Sequence, residues 1–300
     1  MDVDALSVQF DSGSLAALQV ALGFVMFGVS LDLKAQDFVD LFRDPRAPAV
    51  GLLCQFVLLP AIACPLALAI APTPSMALGL MLVAACPGGN VSNFLTQIGN
   101  GRLAVSVGMT AISTLAAVIT TPFNLTFWGT RHPSTAALVQ SVALDPIDLF
   151  QSVALLLLVP VALGMGFAWL RPTWAARLSR AMKGLSLVFF GFVVLGAFSA
   201  NFGLFLQAIG VVFLPVALLN AVAIGLGYGA ASLAGLTVPE RRAVSFEVGI
   251  QNSGLGLVLV FSFFQGLGGM AIVAAWWGIW HILAGLFMVG LYRWQDRSTG

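Results

Sequence analysis

A chain of 300 residues has room for two average soluble domains, but 59% of its residues are apolar and only 8% are charged, about a third of the charged share of a soluble protein. Thirteen Lys and Arg against twelve Asp and Glu leave a formal net charge of +1, which excludes an electrostatic footprint for nucleic acid. No soluble core hides that much apolar surface, so the chain reads as a polytopic membrane protein.

The chain starts Met1-Asp2-Val3-Asp4, acidic where a signal peptide or transit peptide is basic. Nine apolar runs of spanning length follow, at residues 14–32, 47–70, 75–98, 102–128, 147–170, 182–200, 204–234, 240–264 and 269–292. Turn chemistry or charge separates them, as in Asp44-Pro45-Arg46, Pro72-Thr73-Pro74, Gly99-Asn100-Gly101-Arg102, Arg131-His132-Pro133 and Pro239-Glu240-Arg241-Arg242. No linker holds a soluble domain, so residues 1–300 form one integral-membrane unit.

With nine spans and the N-terminus outside, 12 of the 13 Lys and Arg fall on the inner side and only Arg131 lies outside. The reversed topology inverts that count. The excess of basic residues in inner loops therefore sets the N-terminus outside and the C-terminus in the cytoplasm. The expected location is the plasma membrane, or the inner membrane of a bacterium. Cys54, Cys64 and Cys86 all lie within apolar runs. Their spacing fits neither a metal motif nor a disulfide framework, and they read as buried thiols.

Two runs break the apolar pattern. The third contains Cys86-Pro87-Gly88-Gly89-Asn90-Val91-Ser92-Asn93, where Pro removes a backbone donor and paired Gly weakens the helix. The eighth contains Glu247-Val248-Gly249-Ile250-Gln251-Asn252-Ser253-Gly254. Glu247 is the only acidic residue deep inside a run, at an insertion cost of roughly 2.5–3.5 kcal/mol. Broken helices are thus expected at about 75–98 and 240–264, running in opposite directions across the membrane. That is the pattern of an inverted-repeat secondary transporter with a midplane site. Unwound carbonyls, hydroxyls and amides suit a small cation. Second half-helices starting near Ser92 and Ser253 turn positive dipole ends towards an anion.

Cys86-Pro87-Gly88-Gly89-x-x-Ser92-Asn93, Ser106-x-x-x-Thr110 and Glu247-Val248-Gly249-x-Gln251-Asn252-Ser253-Gly254, with residues 25–31 and Gln55, resemble the bile acid:sodium symporter family over essentially the whole chain. The resemblance implies an all-α fold of about nine spans, divided into a core domain with two crossing broken helices and a panel domain. It implies alternating access, coupled to two sodium ions. One sodium site would use Ser92, Asn93, Ser106, Thr110 and Glu247. The second would use Gln55, Gln251, the Glu247 carboxylate and the carbonyls of Val248 and Ile250. Gly89, Asn90, Asn252 and Ser253 would meet the substrate. Asn90 stands where relatives commonly carry Thr or another small residue, and the resemblance implies the nine-span form of the family, in which the leading panel helix of ten-span relatives is expected to be missing.

The expected activity is symport of an organic anion, a small carboxylate or a bile-acid-like molecule, across the lipid bilayer. The alternative is a proton-driven efflux carrier of the arsenite type, which Cys86 invites. No enzymatic constellation is visible, since the two His residues are isolated. Gln19, Gln207 and Asn220 are candidates for either the cavity or interhelical hydrogen bonds. Thr114, Thr120 and Thr121 read as bonded back to their own helix, with Asn124 partly on the same face. His281 reads as a structural hydrogen bond near the interface, Gly225-x-x-x-Gly229 as close helix packing, Asp145 and Asp148 as caps, and residues 293–297 as a cytoplasmic anchor.

Overall fold

A computed structural model describes residues 12–33, 43–141, 145–182, 185 and 202–299. Its helices in chain order are α1 (Ser12–Ser30), α2 (Arg46–Ile70), α3 (Pro74–Ala85), α4 (Val91–Ile98), α5 (Leu103–Gly129), α6 (Pro133–Ser141) and α7 (Pro146–Leu170). There follow α8 (172–182), α9 (Phe202–Leu233), α10 (Val238–Gly249), α11 (Ser253–Phe263) and α12 (Gly268–Thr299). Six of them are long and apolar enough to cross a membrane: α1, α2, α5, α7, α9 and α12. No strand occurs among the described residues, although Gly88 and Gln251 form one antiparallel bridge.

Eight of the nine apolar runs coincide with these helices; the run at 182–200 lies outside the described residues except at its start, as do Lys34 and Lys183. The side chains of 204–207, Gln207 included, also lie outside them. The short helices α6 and α8 had no signal in the apolar pattern, because neither buries a long hydrophobic stretch.

Local chemistry sets the helix ends. Asp145 accepts a hydrogen bond from Ile147 N at 2.7 Å, and Thr73 accepts one from Met76 N at 3.4 Å ahead of Pro74, satisfying N–H groups that helix starts leave unpaired. Glu240 Oε2 accepts from Thr237 N at 2.8 Å and from Thr237 Oγ1 at 2.7 Å, fixing the start of α10. Pro60 has no N–H, so the carbonyl four residues earlier, Phe56, loses its helical partner. Asn124 Nδ2 on α5 donates to Phe56 O at 3.1 Å instead. Around that position α2 widens into a π-turn, Cys54–Leu58, a device common at functional sites. Thr121 Oγ1 donates to Ala85 O at 2.7 Å, taking the last carbonyl of α3; Thr114 and Thr120 bond back to their own helix at 2.7 Å and 3.0 Å.

The short helices occupy the centre. Every residue of α3 after Pro74 is buried, as are residues 242–249 of α10 and 253–260 of α11. The outer helices expose apolar side chains such as Leu155, Leu163, Leu214 and Phe287, which suits lipid. Close approach of α9 to α10 falls at Gly227, where a Cβ would lie 2.8 Å from Val244 O; at Gly225 and Gly229, expected to pack closely, a Cβ would meet no described residue within 4 Å. A Gly-x-x-x-Gly stripe fixes a face but not the partner, and the α9 face that meets α10 is offset from it.

Candidate ion-binding site

The site is built where the two interrupted helices cross. Gly89 N donates to Ile250 O at 2.6 Å and Asn252 N donates to Pro87 O at 2.8 Å. Pro87 cannot donate and the helices are broken on either side, so each unwound segment supplies the partner that the other lacks. This pairing aligns α4, starting at Val91, with α11, starting at Ser253.

Beside the crossing lies Glu247, fully buried on α10. Ser92 Oγ of α4 donates to its Oε2 at 2.5 Å. From α5, Thr110 Oγ1 lies 2.8 Å from Oε1 and 3.0 Å from Oε2, and Ser106 Oγ lies 3.3 Å from Oε2. Asn93 Oδ1 is reached by Ser106 Oγ at 2.8 Å and Thr110 Oγ1 at 3.3 Å. The i, i+4 spacing of Ser106 and Thr110 puts both hydroxyls on one face of α5. All five residues expected at the first ion site therefore share one network. Its donor atoms are hydroxyl, amide and carboxylate oxygens, the set that suits a hard cation. Among the described residues no three His, Cys, Asp or Glu side chains gather as a transition-metal site would require. Gly88 makes room for the carboxylate: a Cβ there would overlap Glu247 Oε1.

The second expected set is joined differently. Gln55, placed inside by the π-turn, donates through Nε2 to Gln251 Oε1 at 2.6 Å and to Cys86 O at 2.9 Å. Gln251 Nε2 donates to Val248 O at 2.6 Å. The Ile250 carbonyl is engaged in the crossing, and none of the Glu247 hydrogen bonds described above goes to Gln55 or Gln251. Gln55, Val248 and Gln251 thus form one chain of bonds, with Ile250 and Glu247 beside it in sequence but bonded elsewhere.

Of the four residues expected to meet substrate, Gly89 has its N–H committed to Ile250. Asn252 Oδ1 caps α11 by accepting from Leu255 N at 3.0 Å. Ser253 is buried against Gly278, where a Cβ would lie 2.8 Å from its Oγ. Asn90 is half-buried and makes no side-chain cap. His281 lies on α12 between Gly278, where a Cβ would meet Ser253, and Gly285, where a Cβ would meet Leu95 and Ile250. It is therefore level with the crossing, buried, and its Nδ1 has no hydrogen-bond partner among the described residues. Gln19 Nε2 makes a 3.4 Å bond to Ser262 Oγ.

The basic end of the bundle is tied down by Arg. Arg102 bridges Asp44 at 2.9 Å and Glu240 at 2.5 Å, and those hydrogen bonds push its pKa further up. Arg46 donates to Ala234 O, Arg241 to Leu236 O and Arg293 to Ile98 O, placing positive charge at helix C-termini. Residues 293–297 are more than an anchor. Asp296 takes a two-pronged bond from buried Arg242, at 2.6 Å and 2.9 Å, and a third from Asn100 Nδ2 at 2.8 Å.

Two interrupted helices crossing beside a buried carboxylate ringed by hard oxygens define the class of ion-coupled secondary membrane transporters. The model of the Sodium Bile acid symporter family matches residues 19–208, and the chain belongs to that family. It is 32% identical over 268 residues to the Uncharacterized sodium-dependent transporter YocS of Bacillus subtilis (strain 168), covering 89% of this chain and 80% of that one. It is 30% identical over 275 residues to the Probable sodium/metabolite cotransporter BASS1, chloroplastic, of Oryza sativa subsp. japonica, covering 91% and 65%; it thus spans less than two thirds of that relative's length. It is 28% identical over 253 residues to the human Ileal sodium/bile acid cotransporter, covering 81% and 68%.

Proposed function

We propose that this chain is a sodium-driven symporter of an organic anion, working by alternating access with nine spans, a core and a panel domain, the N-terminus outside and the C-terminus in the cytoplasm. The observation that carries the reading is the Glu247 carboxylate, reached by hydroxyls of Ser92, Ser106 and Thr110 from α4 and α5. One sodium ion sits among Ser92, Asn93, Ser106, Thr110 and Glu247. A second sits at Gln55, Val248, Ile250 and Gln251, with Glu247 contributing charge. The ions are co-substrates: they neutralise the carboxylate and brace the crossing from α2, α5 and α10 at once.

An anionic group then meets Gly89, Asn90, Asn252 and Ser253 at the starts of α4 and α11, where the helix dipoles favour negative charge. Asn90, lacking a capping role, has its amide available to select the substrate, for which a small carboxylate is the preferred class. The names of the three relatives support sodium coupling, and the Arg cluster at one end of the bundle supports the orientation. The efflux reading rested on Cys86, which is fully buried with its carbonyl engaged by Gln55.

The test is thermal unfolding of the purified protein in detergent, titrated with NaCl against choline chloride. A ligand held only by the folded state stabilises it by RT ln(1 + [L]/Kd), about 2.7 kcal/mol at a hundredfold excess over Kd. A saturable rise specific to sodium is expected. Equal curves in the two salts would overturn the reading. Sodium-dependent counterflow of organic anions in proteoliposomes then identifies the substrate class.

A further inference from the structure

Asn220 lies on α9, fully buried, and its Nδ2 donates to Gly249 O at 2.7 Å. Gly249 is the last residue of α10, so its carbonyl has lost its helical partner where the chain unwinds. The opposite atom of the same amide, Asn220 Oδ1, is buried without a hydrogen-bond partner among the described residues. Among the described residues, one other side-chain amide beside this unwound segment has the same defect. Gln55 Nε2 is bonded to Cys86 O and Gln251 Oε1, while Gln55 Oε1 is buried and unpartnered.

The orientation of both amides is fixed by chemistry. A backbone carbonyl only accepts, so the atom facing Gly249 O must be the Asn220 nitrogen, and the atom facing Cys86 O must be the Gln55 nitrogen. The unpartnered atoms are therefore oxygens, and turning either amide over would set two carbonyl oxygens against each other. A buried acceptor with no donor is costly, yet two such amide oxygens occur here among the described residues, one on α2, which bonds to Gln251, and one on α9, which bonds to Gly249. Both are hard oxygens beside unwound carbonyls, which is what a small cation needs.

We infer that Asn220 belongs to the second cation site: its Nδ2 pins the Gly249 carbonyl, holding the unwound segment open, and its Oδ1 joins Gln55 Oε1 as a ligand oxygen. This rests on the proposed sodium coupling, and adds α9 to the helices that sense the ion. Because α9 packs on α10 at Gly227 and Ile224, occupancy of the second site would be felt along the α9–α10 contact.

The test compares sodium titrations of thermal unfolding for the wild type, Asn220→Ala and Asn220→Asp, with choline chloride as the matched salt. Asn220→Ala is expected to raise the sodium midpoint about 10–100-fold, the usual effect of losing a group that holds a metal site, and to lower the steepness of the titration. Asn220→Asp puts a carboxylate among the ligands and is expected to shift the midpoint or to make calcium stabilise the protein. If Asn220 only bridges helices, both variants lower the melting temperature in choline and leave the sodium midpoint and the calcium response the same as measured for the wild type; that result from either variant that folds overturns the inference. A wild type that ignores sodium overturns the sodium-coupling reading itself, so the two failures are distinguishable.

Discussion

Ser92 and Glu247 are 155 residues apart in the chain, and the hydroxyl of one donates to the carboxylate of the other across 2.5 Å. One belongs to the first interrupted helix and the other to the second. The hydrogen bond exists only because the unwound segments pair backbone to backbone, so charge placement and helix crossing are one structural fact.

Glu247→Gln keeps the shape of the side chain and removes the charge. The variant is expected to fold, with helix content by circular dichroism unchanged, and to lose the sodium-specific rise in melting temperature. A sodium midpoint equal to that of the wild type would remove Glu247 from the ion site.

Gly88→Ala tests the carboxylate from the other direction. Its new methyl group would occupy the position of Glu247 Oε1, so the carboxylate must swing away, at an overpacking cost of about 1–3 kcal/mol. The expected result is a lowered melting temperature in choline together with a weakened sodium response. Gly256→Ala, where a Cβ meets nothing nearer than 3.7 Å, serves as the control.

Gly227→Ala is expected to destabilise the protein by about 1–3 kcal/mol, because the backbone of Val244 and Ser245 lies in the way. Gly225→Ala should stay within about 0.5 kcal/mol of wild type. Melting both in the same detergent decides whether α9 docks through Gly227 or through the Gly-x-x-x-Gly stripe.

Asn90→Thr is expected to change the order of preference among organic anions in counterflow while leaving the sodium midpoint within about twofold of wild type. If it weakened sodium binding as much as Ser92→Ala does, Asn90 would have to be moved into the ion shell.

Much of this architecture is legible in the sequence where composition and backbone chemistry speak locally. Pro87-Gly88-Gly89 cannot continue a helix, and a lone Glu at membrane depth needs partners; the half-helices accordingly start at Val91 and Ser253. Asp145 caps α7 because Asp before Pro does so from sequence alone. What depends on distant chain is not legible. Asn220 looks like any buried amide until Gly249 O is placed beside it. His281 sits among three Trp residues, and nothing in that stretch announces that Gly278 and Gly285 set it level with the crossing. Asp296 reads as a surface charge because nothing nearby in sequence announces Arg242. The π-turn at Gln55 did leave a signal: Pro60 orphans the Phe56 carbonyl, and a polar residue elsewhere had to answer it.

The backbone bonds between Gly89 and Ile250 and between Asn252 and Pro87 also order the protein's manufacture. When residues 85–93 leave the ribosome, the segment around residues 250–252 that will pair with Pro87 and Gly89 has not been synthesised. The first interrupted helix must therefore wait in the membrane, shielded by water or by the insertion machinery, for about 160 further residues. A message truncated before Ile250 would leave Gly89 N and Pro87 O without the backbone partners they have in the full chain.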